Sequence, residues 1–124
     1  MRKLAATLAS LSLLASAGVA AGSGGGPPQI PRIPGTWSHA EINVTVRKQP
    51  HTLILDRGRV MQVTTSQITL REGAAGGQSI PITAQTLVTL DGRPASITDL
   101  RRRMFATTLR IDGGAAVRLR ATSF

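Results

Sequence analysis

The chain has 124 residues, no cysteine, and 15 lysine and arginine side chains against 6 acidic ones, which gives a net charge of +9. This length predicts one small domain, and the absence of cysteine excludes disulfide bonds, thiolate metal sites and lipid attachment to an N-terminal cysteine. The positive charge favours anionic partners but says nothing about the fold. No serine lies in a glycine-flanked elbow and only two histidines are present, so we expect neither an enzyme nor a bound cofactor.

Residues 1–21 have the pattern of a secretory signal peptide. A cationic start at 1–3 is followed by an apolar stretch at 4–14, which is shorter than the roughly 20 residues of a transmembrane helix. Small-residue runs at 15–17 and 19–21 are candidate cleavage sites. We therefore predict an exported protein of the periplasm, cell surface or extracellular space, with no transmembrane segment in the mature chain.

The remaining chain divides into a linker and a domain. Residues 22–36 are rich in glycine and proline, which predicts a flexible linker, although Ile30 and Ile33 could dock on the domain. From residue 37 to residue 124, short stretches with alternating apolar side chains are separated by turn residues every 8 to 12 positions or so, as in a small sandwich or barrel.

The segment 86–100 gives the most specific structural signal. Its first five residues read as a strand, Asp91 and Gly92 favour a two-residue hairpin turn, and Pro94 indicates an edge position. Ser96 with Asp99 three residues later is typical of a capped helix start, so one short helix is predicted near 96–101. The predicted fold is all-β: a small single-domain barrel of the OB or SH3-like type, with short antiparallel strands and this one helix.

Two stretches of the chain resemble a known family. The segments 57–70 and 86–100, the latter with L-V-T-L-D-G-R-P-A-S-I-T-D-L, are similar to a family of small exported bacterial β-barrel domains whose signature is V-x-V-D-G-x-x-A-S-x-x-D-L. The resemblance covers about residues 56–122. It implies an OB-like or SH3-like barrel and no particular activity. The family usually has a glycine turn after the leucine that matches Leu100, whereas this chain has three arginines there.

Arginine is the main candidate for binding. Guanidinium groups match phosphate, sulfate and carboxylate, so the run at 101–103 is either a recognition patch or a cap on the short helix. Two further pairs alternate with uncharged residues, so each pair shares one face of its strand. The candidate anion-binding residues are Arg101, Arg102, Arg103, Arg57, Arg59, Arg118 and Arg120.

These arginines suggest a non-catalytic binding or structural module of the cell envelope that engages an anionic polymer, a lipid headgroup or an acidic protein. We do not expect nucleic acid, because single-strand binders need aromatic stacking platforms and the chain has one tryptophan, two phenylalanines and no tyrosine. The alternative is a metal or small-ligand carrier that uses His39, Glu41 and His51. His39 and Glu41 are two residues apart on a predicted strand, and His51 lies across the following turn.

Overall fold

The computed structural model describes residues 27–124, which form eight β-strands and two one-turn 3-10 helices, at Gly73–Ala75 and Ile97–Asp99. The strands are β1 (His39–Val46), β2 (Gln49–Val63), β3 (Gln67–Arg71), β4 (Gly77–Pro81), β5 (Leu87–Leu90), β6 (Arg93–Ala95), β7 (Phe105–Ile111) and β8 (Ala116–Thr122). The predicted signal peptide and the first five residues of the predicted linker lie outside the described residues. The prediction of an all-β single domain with one short helical turn after residue 96 is confirmed.

Strand β2 organises the sheet because it is 15 residues long and changes partner halfway along one edge. Its first half pairs with β1 and its last residues pair with β3, while its other edge pairs with β7. The sheet order is β4-β3-β2-β7-β8-β5-β6, with β1 attached to β2 alone. Every pair is antiparallel except β5 with β8. The change of partner falls at residues 57–58.

The sheet is open, since no ladder joins β4 to β6 within residues 27–124. Proline explains both free edges: Pro81 ends β4 and Pro94 lies in the middle of β6, and neither can donate a backbone hydrogen bond. The predicted barrel is therefore not closed by hydrogen bonds. Strands from both ends nevertheless share one apolar cluster, which includes Val60, Ile68, Ile80, Ile82, Leu100 and Leu119 with Val88 and Ile97 against it.

Alternation along the strands creates two faces with different cores. The inner face, which carries Val60 and Leu119, packs into that large cluster. The outer face carries a second cluster built on Leu53, Leu55 and Leu109. A single sheet that is apolar on both faces needs a cover on each.

The N-terminal arm, residues 27–37, covers part of the outer face. Ile30 and Ile33 pack against the second cluster, and Trp37 Nε1 donates a hydrogen bond of 3.2 Å to the carbonyl oxygen of Ile33. Arg118 donates from Nε to the carbonyl oxygen of Pro28 at 2.8 Å. The described part of the predicted linker is thus docked on the domain.

The segment 86–100 follows its predicted order. Asp91 and Gly92 form the β5–β6 turn with φ of 52° and 84°, in the left-handed region that these two residue types tolerate. Ser96 caps the 3-10 helix by accepting from the backbone N–H of Thr98, and Asp99 accepts from the Ser96 N–H at 2.9 Å. Leu100 then enters the inner core, only 2% exposed. The helix contacts the core through this leucine and Ile97.

Candidate functional sites on two faces of the sheet

His39 and Glu41 meet on the inner side of β1. His39 opens the strand and lies opposite Asp56 of β2. The His39 ring lies between two carboxylates: Nδ1 is 2.7 Å from Asp56 Oδ1, and Nε2 is 3.0 Å from Glu41 Oε2. Burial lowers the pKa of His39, but the hydrogen bonds to Asp56 and Glu41 outweigh it and leave the pKa raised. The ring is therefore held in place by both of its nitrogens.

His51 does not join His39 and Glu41. The β1–β2 turn falls at Arg47 and Lys48, so His51 lies opposite Val44, five residues along β1 from His39. Five strand residues span about 16 Å, and an odd number places His51 on the other face of the sheet. His51 instead bonds Asp112 Oδ2 through Nδ1 at 2.6 Å. The predicted three-residue carrier site is therefore not assembled.

Glu72 reaches His39 and Asp56 because of Gly58. A Cβ built on Gly58 would lie 2.1 Å from the carbonyl oxygen of Arg71, so only glycine allows the end of β3 to approach β2 this closely. Glu72 follows directly and is 4% exposed. One potential ligand atom from each of His39, Asp56 and Glu72 lies within 4.8 Å of the others. We call these three residues the carboxyl cluster.

The two carboxyl groups of the cluster are short of hydrogen-bond donors. Asp56 is 3% exposed, and neither its Oδ2 nor Glu72 Oε2 has a hydrogen-bond partner. Burial, and after it the hydrogen bond and charge of Asp56, raise the pKa of Glu72 to about 8. Below this pKa Glu72 holds its proton. Once Glu72 is ionised, its Oε2 and Asp56 Oδ2 are two buried acceptors without a hydrogen-bond partner, an arrangement that suits a cation.

Arg110 is a cation on the same side of the sheet. Its Nη2 lies 3.8 Å from Asp56 Oδ2, which is an ion-pair distance but too long for a hydrogen bond. Its Nε has no hydrogen-bond partner. Arg110 therefore lowers the electrostatic cost of the buried carboxylate and leaves both orphan oxygens free.

Sequence reasoning missed Asp56 and Glu72. Asp56 could have been recognised as a candidate site residue from the sequence, because it is a lone acidic residue directly after the apolar run Leu53, Ile54 and Leu55. Such an acid in a strand must find a partner or stay protonated. Glu72 gave no signal, because its position depends on the approach of Arg71 to Gly58.

Three of the candidate arginines lie on the outer face at the border of the region that the arm covers. Arg57 and Arg59 of β2 lie opposite Thr107 and Phe105 of β7, and Arg120 of β8 is also opposite Thr107. Strand β7 thus separates the two groups, which are about 10 Å apart at ordinary strand spacing. Arg71 of β3 extends the row, because it lies opposite Arg59.

We call Arg57, Arg59, Arg71, Arg120 and Phe105 the basic face. The Arg57 guanidinium lies over two rings, 5.2 Å from the Trp37 centroid and 5.4 Å from that of Phe105. These cation–π contacts fix one charge in position. None of the outer-face ladder positions of β2, β3, β5, β7 and β8 holds an acidic residue.

The remaining candidate arginines have structural contacts. Arg118 donates hydrogen bonds to the carbonyl oxygens of Pro27 and Pro28 in the arm. Arg101 Nη1 donates to the carbonyl oxygens of Thr98 at 2.7 Å and Leu100 at 3.1 Å, as a cap would.

The other two arginines of the run, Arg102 and Arg103, are exposed. Arg103 has a φ of 78°, a conformation that favours glycine, and this is the corner where the resembling family usually has a glycine turn. The Arg103 carbonyl oxygen accepts from Arg59 Nη1 at 2.9 Å, so the run borders the basic face.

No protein-family model, curated protein or solved structure matches this chain. The resemblance to exported β-barrel domains and the absence of catalytic activity both stay predictions. Within residues 27–124, no helix has the length and apolar character needed to cross a bilayer.

Proposed function

We propose that the protein is an exported, non-catalytic binding module of the cell envelope that holds an anionic polymer on its basic face. One observation carries the proposal: four arginines and an exposed phenylalanine lie on neighbouring strands of the outer face, and no outer-face ladder position of β2, β3, β5, β7 and β8 is acidic. Guanidinium groups pair in bidentate fashion with the phosphate, sulfate and carboxylate groups of such polymers.

The spacing of the arginines favours a polymer over a small anion. The four arginines lie on β3, β2 and β8, which together with β7 form a row of four strands, on a sheet face rather than in a pocket. Charges repeated along a polymer can contact more of these arginines at once than one phosphate-sized anion can. Arg57, held between Trp37 and Phe105, provides an anchor whose side-chain entropy is already reduced.

The basic face offers little to the other partner classes. Phe105 is 38% exposed and has Arg57 against its ring, so it provides little of the aromatic platform on which single-stranded nucleic acids stack. Threonines separate the arginines, so a lipid surface would gain little apolar contact beyond Phe105 and the exposed Leu87 of β5. A lipid headgroup remains an outcome that the experiment distinguishes.

The proposal is tested by retention on an immobilised sulfated polysaccharide in a salt gradient. Replacing Arg59, Arg71 and Arg120 with glutamine removes three exposed charges and leaves Arg57 packed. We expect about tenfold weaker binding and earlier elution, because each exposed charge pair contributes about 0.5 kcal/mol. The melting temperature should stay unchanged.

A matched control removes three charges away from the basic face, by changing Arg47, Lys48 and Arg93 to glutamine. The control should elute close to the unmodified protein. A variant of the run 101–103 should fall between the two, since Arg101 bonds its own turn and Arg103 borders the face. Equal losses in the first variant and the control would mean bulk charge and overturn the proposal. Retention on anionic vesicles but not on the polysaccharide would reassign the partner to lipid.

A further inference from the structure

We propose that the carboxyl cluster of His39, Asp56 and Glu72 binds one divalent transition-metal ion of the zinc class, with Glu41 as the outer acceptor that orients the histidine. The proposal is independent of the basic face, because the carboxyl cluster belongs to the inner face and shares no residue with it. It rests on the donor set, on the two orphan oxygens and on the geometry of the histidine ring.

The donor set suits a borderline metal. One imidazole nitrogen and two carboxylate oxygens form the mixed set that zinc-type ions accept in tetrahedral sites with one open position. Magnesium and calcium prefer ligand sets made of oxygen alone, whereas this set includes an imidazole nitrogen. The fourth position would face the exposed side of His39, where water can enter.

The buried oxygens are the observation that points to a ligand. Asp56 and Glu72 are each more than nine-tenths buried, and each has an oxygen without a hydrogen-bond partner. Buried acceptors left without a donor are costly, so a cation between them would satisfy both at once. The ligand atoms lie within 4.8 Å, while metal bonds of about 2.0–2.1 Å bring tetrahedral ligands to roughly 3.4 Å of one another. Rotation of the side chains can make up that difference.

Glu41 gives His39 the carboxylate acceptor that a metal-bound histidine usually has on its other ring nitrogen. With Nε2–H donated to Glu41 Oε2 at 3.0 Å, the lone pair of Nδ1 can point towards Asp56 and Glu72. In the metal-free protein the Nδ1 position hydrogen-bonds Asp56 at 2.7 Å, and the metal would replace that hydrogen atom. Arg110, 3.8 Å from Asp56 Oδ2, opposes the metal's charge and sets an upper limit on affinity.

The test is a titration of the untagged full chain with Zn²⁺ at fixed neutral pH, after removal of metal with a chelator. We expect one ion per chain by equilibrium dialysis and a rise in melting temperature of about 10 °C at a hundredfold excess over Kd. Mg²⁺ at the same concentration should produce neither effect. Absence of saturable zinc binding would overturn the proposal.

Variants assign the ligands. Glu72→Gln keeps the shape of the side chain and should abolish binding, as should His39→Ala and Asp56→Asn. Glu41→Gln should weaken binding about tenfold to a hundredfold without abolishing it, because it removes the carboxylate that orients His39 and not a metal ligand. The matched control is His51→Ala with Asp112→Asn, an exposed histidine–carboxylate pair joined at 2.6 Å. Loss of binding in that control, or full binding in Glu72→Gln, would place the ion elsewhere and refute the assignment.

Discussion

Replacing Gly58 with alanine is expected to destabilise the protein by about 3 kcal/mol, near the upper end of what overpacking costs. The added methyl group would lie 2.1 Å from the carbonyl oxygen of Arg71, and this atom belongs to the backbone of β3 and cannot rotate away. The two strands must separate, which breaks their ladder and withdraws Glu72 from Asp56. Chemical denaturation of the alanine variant measures the effect.

Gly77→Ala is the matched control for that substitution. Its added methyl group would lie 3.2 Å from side-chain atoms of Met61 and Thr69, and the methionine can move. We expect a loss below about 1 kcal/mol in this control. If Gly58→Ala were as stable as Gly77→Ala, the backbone of β3 at Arg71 would not approach β2 as closely as the structure shows.

The metal-free protein is expected to lose stability as pH rises from about 5 to 8. Burial raises the pKa of Glu72 to about 8 in the folded state, so between its ordinary pKa and this value the folded chain binds more protons than the unfolded chain. The free energy of unfolding then falls with pH, by up to about 1.4 kcal/mol per unit for one group. His39 acts in the same direction, because its pKa is also raised.

Glu72→Gln isolates the contribution of the buried carboxyl. Glutamine resembles the protonated form, so we expect equal stability near pH 5 and a more stable variant at pH 8.5. Glu41→Gln is the comparison variant: it removes one of the two hydrogen bonds that raise the pKa of His39, so it should reduce only the contribution of His39 and leave that of Glu72 in place. The groups facing Glu72 are Asp56, His39 and Arg110, and all three stay in both variants. Parallel pH profiles for the wild type and Glu72→Gln, with chelator present, would contradict the raised pKa.

The alternation of apolar residues was enough to predict the all-β fold, since a period of two identifies a strand wherever one face is buried. Periodicity does not reveal the role of Gly58, which allows β3 to pass close to β2. That role depends on Arg71, thirteen positions away, so no local signal identifies it.

The candidate sites show the same limit. Strand parity correctly placed Arg57 with Arg59, and His39 with Glu41, on common faces. Whether β8 lies beside β2 depends on sheet order, and β7 in fact separates them. Arg118 does not join the basic face, because it donates a hydrogen bond to the docked arm. This contact joins residues about ninety positions apart, and no local pattern encodes it.

The most direct measurement of the proposed function is an amide chemical-shift map during titration with a short sulfated oligosaccharide at low salt. We expect the largest shifts on Arg57, Arg59, Phe105 and Arg120, and we expect them to disappear as salt is raised. The β1–β2 turn at Arg47 and Lys48 should stay unchanged. Shifts spread evenly over all cationic positions, or concentrated on that turn, would contradict a binding site on the basic face.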